Sequence, residues 1–238
     1  MNESDLLFTE DLDAQYGDAK VLSGINISVG SGEVVTILGA NGAGKSTLLK
    51  VISGILRPSG GRVIFRGEDV SARPAYQIRR MGLIHVPEGR GILNSLSVKE
   101  NLVLGCYGLV KREQAARIGE IFDRFPILKE RAEQLGGLLS GGEQTILAIA
   151  RGLVGQPYCM MLDEPSLGIA PVMVDRIFGI LRDLKLTKMP VLLVEQNAAQ
   201  ALEISDRVYV MEVGRVVAQG DMEKMLSDKK IVEAYLGV

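Results

Sequence analysis

Gly39-Ala40-Asn41-Gly42-Ala43-Gly44-Lys45-Ser46-Thr47 fits the pattern G-x-x-x-x-G-K-[ST], and it lies between an apolar run, Val34 to Leu38, and a helical one. The run before it is apolar apart from Thr36, as in a strand covered on both faces. After Lys45, the residues Leu48, Val51, Ile52 and Ile55 share one helical face, which Gly54 and Pro58 bring to an end. Strand, glycine turn and helix in that order make a cradle for phosphate. The glycines let successive amides curl round an anion, Lys45 offers a charge to β- and γ-phosphates, and the Ser46 hydroxyl is a hard ligand for Mg2+.

A second glycine pair lies far downstream, in Leu139-Ser140-Gly141-Gly142-Glu143. Ser140-x-x-Glu143 is a capping box: Ser140 accepts from the Glu143 amide while the Glu143 carboxylate reaches back. A cap accounts for Ser140 and Glu143 but not for Gly141 and Gly142. Those clear side chains from a helix start whose amides and dipole favour an anion. One active site has no obvious use for two such loops. Between them and the chain end, Cys159-Met160-Met161-Leu162-Asp163-Glu164 is an apolar strand pattern closed by two acids. At the carboxyl end of a parallel strand, both acids fall near the crevice where open α/β sheets bind ligands. Asp163 is suited to hold a metal through water, and Glu164 to polarise an attacking water.

The 238 residues suffice for one large domain or a core with one subdomain, and the 47% apolar content supports a substantial core. A formal charge of −2 argues against a broad nucleic-acid surface. No apolar run approaches the roughly 18 residues that a membrane span needs. Met1 to Glu10 is acidic and lacks the basic start of a secretory signal, and Cys106 and Cys159 form no C-x-x-C. Both cysteines read as reduced thiols of a soluble cytosolic chain. His85 is the single histidine, which removes Ser-His-Asp and Cys-His mechanisms and the usual histidine-bearing zinc sites. Within Leu83-Ile84-His85-Val86, a strand pattern, it reads as a packed structural residue.

Further strands are expected at Val63 to Phe65, Tyr158 to Leu162 and Val191 to Val194, with Arg207 to Val213 and Arg215 to Ala218 as a hairpin about Gly214. From about Glu88 the character turns helical. Val98 to Tyr107, Arg112 to Phe125 and Leu128 to Leu135 carry helical patterns, with Pro126 and Gly136-Gly137 as breaks. The helix after Gly142 buries Ile146, Ile149, Ala150 and Leu153, Pro171 opens another, and the tail is a helix or two. The expectation is an α/β core interrupted by a helical insertion over roughly residues 89 to 157.

Gly39 to Thr47, Leu139 to Glu143 and Met161-Leu162-Asp163-Glu164, in this order over almost the whole chain, resemble the ATP-binding subunit of an ABC transporter. The resemblance implies a P-loop NTPase fold of the ABC type: one domain over 1–238, a mixed-sheet core of about 1–88 and 158–238, and a helical subdomain of about 89–157. It implies ATP held by Gly39, Asn41, Gly42, Ala43, Gly44, Lys45, Ser46 and Thr47, with Tyr16 stacked on adenine. Mg2+ would be held by Ser46, Glu88 and, through water, Asp163. Glu164 and Gln196 would be the catalytic pair. Ser140, Gly141, Gly142 and Glu143 would act in trans, closing over ATP on a second ATPase subunit, a copy or a related paralogue, in a head-to-tail dimer. Transmembrane permease subunits would dock between core and insertion, near Glu88. A periplasmic or extracellular solute-binding protein would take part indirectly, and the chain would sit peripherally on the cytoplasmic face of the bacterial inner membrane.

Three positions depart from the commonest pattern of that family. Glu88 stands where glutamine is usual, Gln196 where histidine is usual, and Ala170 where an aspartate is usual. Glu88 is a stronger Mg2+ ligand than an amide, and Gln196 donates a hydrogen bond without a positive charge. Val86-Pro87-Glu88-Gly89-Arg90, Glu195-Gln196-Asn197 and the run from Glu164 to Pro171 resemble the shorter ATPase of bacterial branched-chain (hydrophobic) amino-acid uptake systems. The alternatives within the family are urea or amide uptake and lipid or lipopolysaccharide export. A soluble ABC-type ATPase of repair or translation would bring a coiled coil or a second cassette, and neither pattern is present.

Overall fold

A strand can be apolar throughout only when both faces are covered, and three short runs of this chain meet that condition. The computed structural model describes residues 5 to 196, 198 to 221 and 225. In chain order the strands are β1 (Asp5–Tyr16), β2 (Ala19–Ile25), β3 (Ser28–Gly30), β4 (Val34–Leu38), β5 (Gly60–Phe65), β6 (Glu68–Asp69), β7 (Leu83–Val86), β8 (Cys159–Asp163), β9 (Val191–Glu195), β10 (Arg207–Glu212) and β11 (Arg215–Asp221). The helices are α1 (Lys45–Ile52), α2 (Ala75–Arg80), α3 (Val98–Gly105), α4 (Lys111–Arg124), α5 (Pro126–Glu130), α6 (Gly141–Leu153), α7 (Pro171–Leu186) and α8 (Ala198–Ile204).

The central sheet runs β11-β10-β4-β9-β8-β7, parallel from β10 to β7 and closed by the antiparallel hairpin strand β11. Every residue of β4, β8 and β9 is buried. Alternation decides which face each serves. Val34 and Leu38, Met160 and Leu162, and Val191 and Leu193 pack with α6, α7 and α8. Val35 and Ile37, Cys159 and Met161, and Leu192 and Val194 pack with α1 and the second sheet. That second sheet is antiparallel, in the order β2-β1-β5-β6 with β3 also on β1. Thr36, the one polar residue of β4, is satisfied by the Ser205 hydroxyl at 2.6 Å. Between β7 and β8 the regular elements are all helical.

Several expectations are corrected. The helix after Lys45 ends at Ile52, because Gly54 turns left-handed (φ 73), and Ile55 is exposed instead of continuing the buried face. The pattern from Leu128 to Leu135 is helical only to Glu130. Beyond it, the Ala132 and Gln134 carbonyls accept the Lys99 and Val98 amides, so this segment caps the start of α3, and Leu135 bridges Ser97. Pro126 opens α5 at its first position. The α3 pattern stops at Gly105 rather than Tyr107. Tyr158 lies outside β8, exposed beneath the Arg66 guanidinium. The expected tail helices fall outside the described residues.

Cys106 and Cys159 are free and buried, and burial pushes the Cys159 thiol up to about 12. His85 lies in β7, but neither ring nitrogen finds a hydrogen-bond partner. Burial and the nearby Lys50 charge bring its pKa down to about 4.

Candidate active site

Strands β4, β9, β8 and β7 lie side by side and parallel, so the segments leaving their carboxyl ends share one edge of the sheet. Leu38 pairs with Glu195, Val194 with Asp163, and Leu162 with Val86. The phosphate loop follows β4, Gln196 follows β9, Asp163 and Glu164 close β8, and Glu88 lies just past β7. Stretches scattered over the sequence therefore meet at one crevice. A cleft of about 710 Å³ is lined by Gly39, Asn41, Gly42, Ala43 and Gln196 among others. A smaller one of about 190 Å³ is lined by Glu88, Arg90, Asp163 and Glu164.

Gly44 caps α1 with φ 102, a left-handed conformation, and has no side chain to occupy the first-turn amides. A Cβ there would stand 2.9 Å from Leu22 Cδ2, so β2 presses on the loop from behind. Lys45 is buried, and its Nζ donates to the carbonyls of Gly39 at 2.8 Å and Ala40 at 3.2 Å. The same Nζ lies 3.1 Å from Glu164 Oε1, which is also buried. Glu164 holds φ 47, a costly backbone for a residue with a side chain, and its amide donates to the Val194 carbonyl at 2.9 Å.

The Ser46 hydroxyl donates to Asp163 Oδ1 at 3.0 Å. Burial raises the Asp163 carboxyl above its ordinary pKa; the Ser46 bond opposes this, and the neighbouring Glu164 and Glu88 charges add to it. A hydroxyl and a carboxylate crowded by two more carboxylates are a hard-oxygen environment short of positive charge, and a divalent cation fits it. Among the described residues no group of three His, Cys, Asp or Glu side chains could hold an ion unaided.

Ser140 to Glu143 form a different place. Ser140 caps α6, taking the Glu143 amide on its hydroxyl at 3.4 Å while its own amide donates to Glu143 Oε2 at 2.8 Å. Burial favours the neutral Glu143, but the Ser140 bonds and the Arg131 and Arg176 charges outweigh it and lower the pKa. Arg90 ties α6 to the Glu88 loop, donating to Gln144 at 2.9 Å and Thr145 at 3.3 Å. Gly142 is required from within the chain: a Cβ would lie 2.6 Å from Met173 Cβ on α7. At Gly141 a Cβ would meet the end of the Arg90 side chain, at 2.9 Å, and Ile169 Cγ2, at 3.4 Å. Ser140, Gly141 and Gly142 line neither of the two clefts. Tyr16 ends β1 exposed, in the hairpin whose other strand supplies Leu22 behind Gly44.

Two residues with no role assigned from sequence also stand at the crevice. Glu195 is buried at the end of β9 and takes both donors of Ser166. The signal was present: Val191-Leu192-Leu193-Val194 closes on a carboxylate just as the strand before Asp163 does.

A sequence profile described as "ABC transporter" matches residues 22–167. The chain belongs to the ABC transporter family. It is 41% identical to the high-affinity branched-chain amino acid transport ATP-binding protein BraG of Pseudomonas aeruginosa, over 98% of this chain and 100% of that one. It is 33% identical to the lipopolysaccharide export system ATP-binding protein LptB of Haemophilus influenzae, over 98% and 97% of the two chains. Among solved structures, an ATP-binding cassette of an ABC transporter in its ADP conformation matches with a TM-score of 0.82 and 31% identity, over 98% and 99% of the chains. The fold is that of the ABC cassette, a P-loop NTPase core of mixed sheet with a helical insertion, and the chain is a nucleotide-binding ATPase of that family.

Proposed function

We propose that this ABC ATPase hydrolyses ATP as half of a head-to-tail pair and drives uptake of branched-chain or other hydrophobic amino acids. One observation carries the reading. Lys45 pairs with Glu164 and Ser46 with Asp163 at the sheet edge where Gln196 also stands, whereas Ser140 and Glu143 bond to one another in a closed cap apart from these pairs. Amides of Gly39 to Thr47 bind the phosphates, and Lys45 leaves Glu164 for the γ-phosphate, exchanging one anion for another. Glu164, so released, takes a proton from the attacking water. Gln196 donates to the γ-phosphate without adding charge, and Tyr16 stacks on the adenine. Ser46 and Glu88 would hold Mg2+ and Asp163 would hold it through water, and the bound ion would neutralise charge developing on the phosphates. Ser140, Gly141, Gly142 and Glu143 of a second subunit close over the nucleotide, so loss of the γ-phosphate removes contacts from both sides and opens the pair.

No described helix is long and apolar enough to cross a membrane. Residues 89–157 form the helical subdomain beside a core of 1–88 and 158–238, and the permease subunits dock between them near Glu88. In this reading the ATPase sits peripherally on the cytoplasmic face of the membrane, with a solute-binding protein on the far side. The likeness to BraG, together with Glu88 and Gln196, favours amino acids as the solute class. The likeness to LptB favours lipopolysaccharide export as the second reading. Copurification of the native assembly and radiolabelled leucine uptake distinguish them. Uptake that depends on this chain and copurifying permeases support import; an export assembly and unchanged leucine uptake contradict it.

A further inference from the structure

We infer that Glu195 is a positioning residue for hydrolysis: its carboxylate clamps the turn carrying Glu164 to the turn carrying Gln196, so the two meet the γ-phosphate as one unit. The inference rests on the reading of Glu164 as the base and of Gln196 as the γ-phosphate contact. Glu195 closes β9 with only 1% of its surface exposed. Its Oε1 accepts the Ser166 amide at 3.0 Å, and its Oε2 accepts the Ser166 hydroxyl at 2.8 Å and the Gln196 amide at 3.2 Å. A buried carboxylate is tolerated only where donors fill its lone pairs. These three donors come from the two turns in question, not from the packed faces of the sheet.

The clamp has something to hold. Glu164 sits in the left-handed region at φ 47, a conformation that persists only where its surroundings fix it. Ladder pairing between β8 and β9 runs to Asp163 and Val194, and a last backbone bond joins the Glu164 amide to the Val194 carbonyl. Past that bond, the Ser166–Glu195 contacts are what tie the loop after Glu164 to β9. A rigid turn keeps Glu164 aimed at the crevice while Lys45 moves from it to phosphate. Side-chain bonds of Glu195 go to Ser166 and to the Gln196 amide, on the turns that carry the base and the γ-phosphate contact, so the clamp acts on the chemical step.

The test measures phosphate release and Mg-ATP affinity for full-length Glu195→Gln, Ser166→Ala and the double variant, with Glu164→Gln alongside. Glu195→Gln keeps the volume but turns an NH2 toward at least one of the three donors. Turnover is expected to fall about tenfold in Glu195→Gln and about threefold in Ser166→Ala, with ATP dissociation constants changed less than about twofold. The double variant is expected to be about as slow as Glu195→Gln alone, because both remove one clamp, and Ser166→Thr is expected to restore turnover. Unchanged turnover in Glu195→Gln, parallel losses of turnover and affinity, or losses that multiply in the double variant would overturn the inference. Should Glu195→Gln fail to fold, the half-buried Ser166→Ala decides by the same criteria. Wild-type turnover in Glu164→Gln overturns the reading of the base and the inference with it. An inactive Glu164→Gln beside a fully active Glu195→Gln removes the clamp alone.

Discussion

The two glycine-rich helix starts of this chain, at Gly44 and at Ser140, differ in what already occupies them. At Gly44 no side chain caps the helix, and Lys45, Ser46, Asp163 and Glu164 stand around it in mutual contact. At Ser140 a reciprocal cap is complete, and the Glu143 carboxylate is taken up by that cap and by Arg131 at 3.0 Å. The first brings a lysine, a hydroxyl and two carboxylates together where α1 meets the carboxyl end of β8. The second offers an exposed hydroxyl and helix-start amides. The glycine motif alone does not separate these two kinds of helix start.

The largest expected effect breaks the first region. Glu164→Gln removes the general base while keeping the fold of the turn, and turnover is expected to fall by about 10²–10⁴-fold with ATP still bound. Phosphate release and nucleotide binding, measured together, check it; undiminished release would remove Glu164 from the base role.

A smaller effect sharpens the second region by separating its two glycines. Gly142→Ala drives a methyl into Met173 Cβ and is expected to lower stability by about 1–3 kcal/mol. Gly141→Ala meets the end of the Arg90 side chain and the edge of Ile169, not a Cβ, and is expected to cost less than Gly142→Ala, under about 1 kcal/mol, while still slowing turnover. Denaturant unfolding of both variants beside their ATPase rates checks this. Equal stability losses would mean that the two glycines serve the same packing role.

Near neutral pH the smallest effect lies between the two glycine motifs in sequence, at His85, and it grows only as pH falls. Its pKa falls from 6.5 to about 4 on burial, so below pH 6.5 the unfolded chain binds a proton that the folded chain does not. Stability is therefore expected to fall as pH drops from 6.5 toward 4, by at most about 1.4 kcal/mol per pH unit from this residue. Unfolding curves at pH 4.5, 5.5 and 7 for the wild type and His85→Leu isolate the term, which the variant lacks. Identical pH slopes would refute it.

The same contrast explains what was legible in the sequence. β4, β8 and β9 were readable because strands buried on both faces are uninterrupted apolar runs, and their carboxyl ends had to carry the ligand groups. β1 was not readable. Its pairing shifts register between Leu12 and Ala14 and again before Gln15, and Asp11 takes φ 45, so no clean alternation survives. The false helix to Leu135 came from a periodicity overridden by tertiary bonds to the first amides of α3. The packing need at Gly142 was invisible because Met173 reaches it from a helix beyond β8. Glu195 could have been read, since it repeats the apolar-run-to-acid ending of β8.

The central claim, that Ser140 to Gly142 serve the phosphate loop of another chain, is tested by mixing two dead variants. Lys45→Ala disables the loop and Ser140→Arg blocks the cover, so each alone is expected to be inactive. In a mixed dimer, one composite site pairs the intact loop of one chain with the intact cover of the other. Random exchange is expected to restore about a quarter of wild-type phosphate release. No recovery on mixing, with mixed dimers shown to have formed, would place loop and cover in the same chain and contradict the account.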